Sequence, residues 1–134
     1  MHSTKIVTSF VANKESFLLL KRSNKVKSMR GLWSGVSGII EKNETPLTRA
    51  KTEIFEELGI NEKELVLVKR SKKIRIASPQ YKNHEWIVFP FLFSVKKPKI
   101  NLNWENSDYR WVNADDIVKY KTVPSLDKVL FSLL

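Results

Sequence analysis

Glu53, Glu56 and Glu57 stand in the stretch Thr52-Glu53-Ile54-Phe55-Glu56-Glu57-Leu58-Gly59-Ile60. On a helix, positions i, i+3 and i+4 share one face, so the three carboxylates stack on a single turn. Like charges at that spacing repel by roughly a few tenths of a kcal/mol per pair. A hard divalent cation between the oxygens would relieve that repulsion, and Mg²⁺ takes carboxylate oxygens while keeping several of its own waters. By itself the turn does not separate a cation site from a solvated helix face.

The elements that must position these groups are legible around them. Thr45 suits a helix N-cap and Pro46 the first helical position. Leu47, Ala50, Ile54 and Leu58 form an apolar stripe at helical spacing. Gly59 follows where a left-handed cap is usual. The helix is therefore expected to pack through one face and to present its acid on another. Upstream, Lys5 to Val11 alternates and reads as a strand, and Phe17 to Leu20 as a buried one; Asn13-Lys14-Glu15-Ser16 between them predicts a hairpin turn. Ser23 to Arg30 is a basic loop. Gly31, Gly35 and Gly38, three of the four glycines, mark tight turns or a close backbone approach to a ligand.

Downstream, Leu65 to Val68 and Ile74 to Ala77 read as strands, and Ser78 to Glu85 as a polar loop. Trp86 to Val95 reads as a long strand buried on both faces, with Pro90 requiring a bulge or an edge. Lys96 to Lys99 is a turn and Asp108 to Val112 a short strand. Asn113 is expected to cap a short helix through Val118. Pro124 to Leu134 closes the chain as an amphipathic helix with Leu126, Val129, Leu130 and Leu133 inward.

The length of 134 residues fits one domain, 1–134. With no cysteine, disulfides and thiolate metal sites are excluded. The longest apolar run is far too short to span a bilayer as a helix, and the first residues lack a signal-peptide core, so a cytoplasmic protein without membrane contact is expected. A formal net charge of +10 favours polyanionic partners such as nucleotides or nucleic acid; a solubilising surface is the alternative for any one basic cluster.

Gly38, Glu44, Glu53, Ile54, Glu56, Glu57, Gly59 and Ile60 together resemble the Nudix box: Gly, five residues, Glu, seven residues, Arg-Glu, an aliphatic residue, any residue, Glu-Glu, any residue, Gly, an aliphatic residue. Six fixed Gly and Glu positions would coincide by chance in such a chain on the order of once in 10⁵. Thr52 stands where the family has arginine. Leu18 to Arg22, Gly31 to Gly38, and Glu105 with Asp108 to Val112 resemble further family segments, so the likeness covers most of the chain. It implies an α/β (α+β) fold of Nudix type, an α/β/α sandwich with a mixed β-sheet between helices and the box as a loop–helix–loop.

The resemblance further implies hydrolysis of phosphoanhydride bonds with Mg²⁺, for which Mn²⁺ can substitute. Glu53, Glu56 and Glu57 become metal ligands or a base, with Glu56 and Glu57 the leading ligands and the Gly38 carbonyl an additional one. Many members use a base outside the box; Glu105 is the first candidate and Glu85 the second. Lys21, Arg22 and Arg49 are the candidate substrate-binding cations. In the family the residue at Glu44 pairs with the missing arginine. Arg49, one turn earlier on the same face as Thr52, can take over part of that role; alternatively it is an exposed arginine paired with Glu53. His84 can assist from its loop, and Trp33, Tyr81 and Trp104 can stack on a base; each is otherwise a surface or packing residue.

Three functions follow. The first is a pyrophosphohydrolase cleaving a nucleoside diphosphate linked to another group: a nucleoside triphosphate, a nucleotide sugar or a dinucleoside polyphosphate. The second is the same chemistry on the 5′ end of RNA, suggested by the basic charge. The third is a non-catalytic nucleotide-binding module, suggested only by Thr52. The chain is expected to act as a monomer or homodimer.

Overall fold

Strand alternation sorts the apolar residues onto two faces of one mixed sheet, and a helix covers each. The structure, a computed structural model, describes residues 2–79 and 81–134. β1 (His2–Asn13) and β2 (Ser16–Arg22) form the expected hairpin, with Ala12 opposite Phe17 and Asn13 opposite Ser16. Lys14 in its two-residue turn has φ 56°, the left-handed backbone that suits the twist of such turns. β3 (Trp33–Ser34) and β8 (Asn106–Val112) pair antiparallel with β2, and β4 (Val36–Ile39) pairs antiparallel with β1. β7 (His84–Ser94) runs parallel to β1, from His2 opposite His84 to Ala12 opposite Ser94. β5 (Val66–Arg70) and β6 (Ile74–Ala77) share the outer side of β7.

One face carries Val7, Val11, Leu18, Leu20, Phe91 and Phe93 against Ala50, Ile54 and Leu58 of α1 (Pro46–Leu58). The other carries Phe10, Phe17, Leu19 and Leu92 against Leu126, Val129, Leu130 and Leu133, in and just after α2 (Leu126–Phe131). This is the expected sandwich. The closing helix is shorter than its apolar pattern, with Leu133 beyond its end but 2% exposed. The segment after Asn113 is a 3₁₀ helix, Ala114–Lys119, without a side-chain cap bond. Of the expected polar loop 78–85, His84 and Glu85 belong to β7, and Gln80 lies outside the described residues.

β7 is a central strand despite Pro90. The outer neighbour is broken at that point: β5 ends with Arg70 opposite Phe91, and β6 begins with Ile74 opposite Val88. Pro90's carbonyl accepts from Ser71 N–H at 3.3 Å in the gap. A residue's N–H and C=O lie on the same side of a strand, so the missing donor faces the break and no ladder bond is lost.

The start and end of α1 follow from local chemistry. Thr45 Oγ1 accepts from Thr48 N–H at 3.1 Å, and Pro46 occupies the first turn. Gly59 has φ 74° and returns its N–H to Phe55 O at 2.9 Å. The cap fixes where Glu57 falls relative to the sheet, two residues before the turn.

Leu130 is fully buried between α2 and the sheet. Truncation to alanine should cost about 2–5 kcal/mol through lost transfer energy and a residual cavity. Urea denaturation of Leu130→Ala measures it; a loss below about 1 kcal/mol would mean that α2 does not dock as described.

Candidate metal and substrate site

α1 meets the sheet beside β4, and contact is closest at Gly38. A Cβ at that position would overlap the Glu53 side chain. Any side chain there would have to displace the Glu53 carboxylate, which lies directly on the strand backbone. The acidic face is consequently not presented to solvent as its sequence pattern suggests. Glu53 is 8% exposed and Glu57 3%, whereas Glu56 is exposed. The apolar stripe and the neighbouring acidic positions are both drawn into the contact between α1 and β4.

Glu105, in the loop before β8, completes a group: one oxygen from each of Glu53, Glu57 and Glu105 lies within 4.8 Å of the others. Ser23 holds that loop in place. Its N–H donates to Glu105 O at 2.8 Å and its hydroxyl to Trp104 O at 2.7 Å. Glu105 Oε1 also accepts from Asn103 Nδ2 at 3.3 Å. Asn106 Nδ2 donates to Glu57 Oε1 at 3.0 Å, while buried Glu57 Oε2 has no hydrogen-bond partner among the described residues. Burial, then the charge of Glu105, pushes the Glu57 carboxyl well above the usual carboxylate range. Burial also pushes Glu53 up, against the bond from Arg49, with Glu56 adding to the rise. These oxygens fit a hard divalent cation: all are carboxylate, they converge, and one is buried with nothing donating to it.

Cations flank the group on two sides. Arg49 Nε donates to Glu44 Oε1 at 2.5 Å, Nη2 to Glu44 Oε2 at 3.0 Å, and Nη1 to Glu53 Oε2 at 2.8 Å. The Glu44 carboxyl is held below its usual range, first by Arg49 and then by the Glu41 backbone. Thr52 turns its hydroxyl back to Thr48 O at 3.0 Å. On the other side, burial pushes the Arg22 guanidinium down, while the charges of Glu57 and Glu105 raise it. Arg22 donates to Ser28 O through Nε at 3.2 Å and Nη2 at 3.1 Å. Lys21 is exposed and lies opposite Asp108 in the sheet.

A cavity of about 320 Å³ opens beside the carboxylates. Arg22, Gly38 and Glu105 line the end nearest them; Thr8, Ser37 and Trp86 are among the residues of its walls. Thr8 and Ser37 share a hydroxyl–hydroxyl bond at 3.1 Å. Such a mostly apolar cleft with a few polar groups is the usual form of a small-molecule site.

The remaining candidates fall elsewhere. Glu85 is bonded by Arg75 and by Ser3 Oγ, the latter at 3.1 Å. His84 shares a hydrogen bond with Thr4 Oγ1 at 3.0 Å and meets Tyr81 and Trp86 edge-on. Trp33 packs edge-on against Tyr120, with Arg110 over its ring. Trp104 is exposed beside Glu105. Asn106, Ser23 and the walls Thr8, Ser37 and Trp86 were not among the residues singled out from sequence. Only Asn106, adjacent to a suspected carboxylate, carried any local signal.

A NUDIX domain family model matches residues 2–133. The fold superposes on the MutT protein from Methanosarcina mazei Go1 with a TM-score of 0.76, at 22% identity over 97% of this chain and 91% of that one. It superposes on C. elegans Ap4A hydrolase, solved as a binary complex, with a TM-score of 0.75, at 17% identity over 98% and 94% of the two chains. A MutT NUDIX hydrolase from Burkholderia pseudomallei gives 0.75 at 18% identity over 100% of both. At these identities the likeness establishes the fold.

The raised carboxyls have a signed consequence for stability. Glu57 binds its proton more tightly folded than unfolded. Its stabilising contribution is full below the ordinary carboxylate range and is lost as pH rises through the raised value. Metal-free protein should therefore become less stable over that interval. Glu57→Gln, which keeps an acceptor for Asn106, should melt higher than wild type in EDTA near neutral pH, by roughly 3–5 °C per kcal/mol relieved. Saturating Mg²⁺ should raise the wild-type melting temperature and leave the variant's unchanged. Equal pH profiles for the two proteins in EDTA would contradict the burial argument.

Proposed function

The chain belongs to the Nudix hydrolase family, which acts on phosphoanhydride bonds, and from that premise we propose a Mg²⁺-dependent pyrophosphohydrolase. Its substrate would be a nucleoside diphosphate linked to another group. The observation that carries this reading is the convergence of Glu53, Glu57 and Glu105 within 4.8 Å, at the end of a cavity sized for a small molecule.

Glu53, Glu57 and Glu105 would hold the cation, with exposed Glu56 and the Gly38 carbonyl as further candidate ligands. When bound, Mg²⁺ supplies neutralisation of phosphate oxygens and a more acidic water. Arg22 stands between the carboxylates and the cavity, and a guanidinium there orients phosphate oxygens. Glu105 is the least enclosed of the three carboxylates and sits in a loop; in this reading it takes the proton of the attacking water. The cavity receives the group attached to the diphosphate and excludes water from one side of it. A cytoplasmic setting, Mn²⁺ substitution and a nucleotide substrate belong to the same proposal.

A panel of nucleoside triphosphates, nucleotide sugars, dinucleoside polyphosphates and 5′-triphosphate RNA with Mg²⁺, with products identified by mass, tests it. Dinucleoside polyphosphates belong in the panel because one structural neighbour is named an Ap4A hydrolase. Cleavage of a diphosphate linkage is expected, with Glu57→Gln reduced by at least the roughly 10–100-fold that loss of a ligand's supporting partner costs. Absence of cleavage across the panel under saturating Mg²⁺, or full activity in Glu57→Gln, would contradict the reading.

A further inference from the structure

Position 52 of the box holds threonine, and its hydroxyl is turned to Thr48 O at 3.0 Å. It offers nothing to Glu44 or Glu53. The guanidinium that reaches both comes from one turn earlier. We propose that Arg49 is the positioning residue of this site, replacing the arginine absent at position 52 by holding Glu44 with one edge and Glu53 with the other. This inference rests on the metal-dependent reading above.

Three observations carry it. First, the donors are divided. Nε and Nη2 of Arg49 form a fork on the two oxygens of Glu44 at 2.5 and 3.0 Å, and Nη1 reaches Glu53 Oε2 at 2.8 Å. A planar guanidinium does this in one conformation; an ammonium does not. Second, the contacts are enclosed, with side chains 15% exposed for Arg49, 18% for Glu44 and 10% for Glu53. An exposed i, i+4 pair would be screened and weak; this arginine is neither solvated nor singly paired. Third, each end is anchored. Glu44 Oε1 also accepts from Glu41 N–H at 2.6 Å, which ties the incoming loop. Glu53 lies against the backbone at Gly38, where a side chain would displace it. Loop, arginine, glutamate and strand form one continuous chain of contacts.

The consequence concerns orientation. With Oε2 engaged by Arg49, Glu53 is held in one rotamer beside Glu57 and Glu105 instead of turning toward solvent. Helical geometry allows the relocation: positions 49 and 52 are i and i+3 and share a face. From position 49 the side chain approaches Glu53 along the helix, at i+4, and still meets Glu44 at the preceding loop.

The test compares wild type with Arg49→Ala, Arg49→Lys and the double variant Arg49→Ala/Thr52→Arg. The readouts are Mn²⁺ affinity from the electron paramagnetic resonance of free Mn²⁺, the kinetics of whichever panel compound wild type cleaves, and circular dichroism for fold. Arg49→Ala should weaken Mn²⁺ binding by about 10–100-fold, as loss of a residue that orients a metal ligand does. It should lower kcat more than it changes KM. Lysine should restore little, because it lacks the fork. Arginine restored at position 52 should recover most of both losses. Mn²⁺ affinity and kcat in Arg49→Ala equal to wild type would overturn the proposal, as would a loss that Thr52→Arg does not repair in a folded double variant. Failure of wild type itself to bind Mn²⁺ would overturn the metal reading and this inference with it, and is distinguishable because every variant would then read alike.

Discussion

The close approach of α1 to the sheet at Gly38 is the constraint on which the rest of the site depends. Ala50, Ile54 and Leu58 drive it by burying the helix's apolar stripe against strands β1, β2 and β7. The adjacent acidic positions are carried inward with that stripe, and the Glu53 side chain comes to lie where any Cβ at position 38 would be. Two glutamates thereby lose most of their water, and Glu105 brings a third carboxylate to them. Crowding of like charges in a poorly solvated place is unfavourable. The fold answers with Arg49, Asn106 and the charge of Arg22. These leave one Glu57 oxygen without a donor among the described residues. A divalent cation would have the charge and hardness to meet that oxygen in place of a proton.

The sheet joins this cluster to the cavity. β4 is short and pairs with the middle of β1, so Gly38, one residue from its end, can meet α1 and also line the cavity. Arg22 and Glu105 reach the same junction from the end of β2 and the loop before β8, brought together by β2–β8 pairing and by Ser23. Carboxylates and cavity are therefore neighbours because of strand pairing, although their residues range from Ile6 to Val129.

The local parts of this arrangement were readable from sequence, and the non-local parts were not. Thr45, Pro46 and Gly59 announce α1 because a helix end satisfies its backbone groups with nearby residues. The spacing from Gly38 to Ile60 identifies the box for the same reason. Pro90 suggests a bulge or an edge in its own strand, yet β7 stays central and pairs with β1 without a shift; the break lies in the neighbouring strand instead. Burial of Glu53 and Glu57 could not be read from periodicity, which distinguishes apolar from polar faces and not covered from uncovered ones. Asn106 on Glu57, Ser23 on the 104–105 loop, and Thr8, Ser37 and Trp86 around the cavity all depend on pairings across tens of residues. Arg49 lies between these cases: its i, i+4 relation to Glu53 is visible in sequence, but its fork on Glu44 depends on the path of the loop.

In the proposed site, Glu53, Glu57 and Glu105 hold one cation together. Anomalous diffraction from crystals soaked in Mn²⁺ locates the ion directly. The account predicts a peak within coordination distance, about 2–2.6 Å, of oxygens from these three glutamates. A peak elsewhere on the chain with this cluster empty at saturating Mn²⁺ would contradict it.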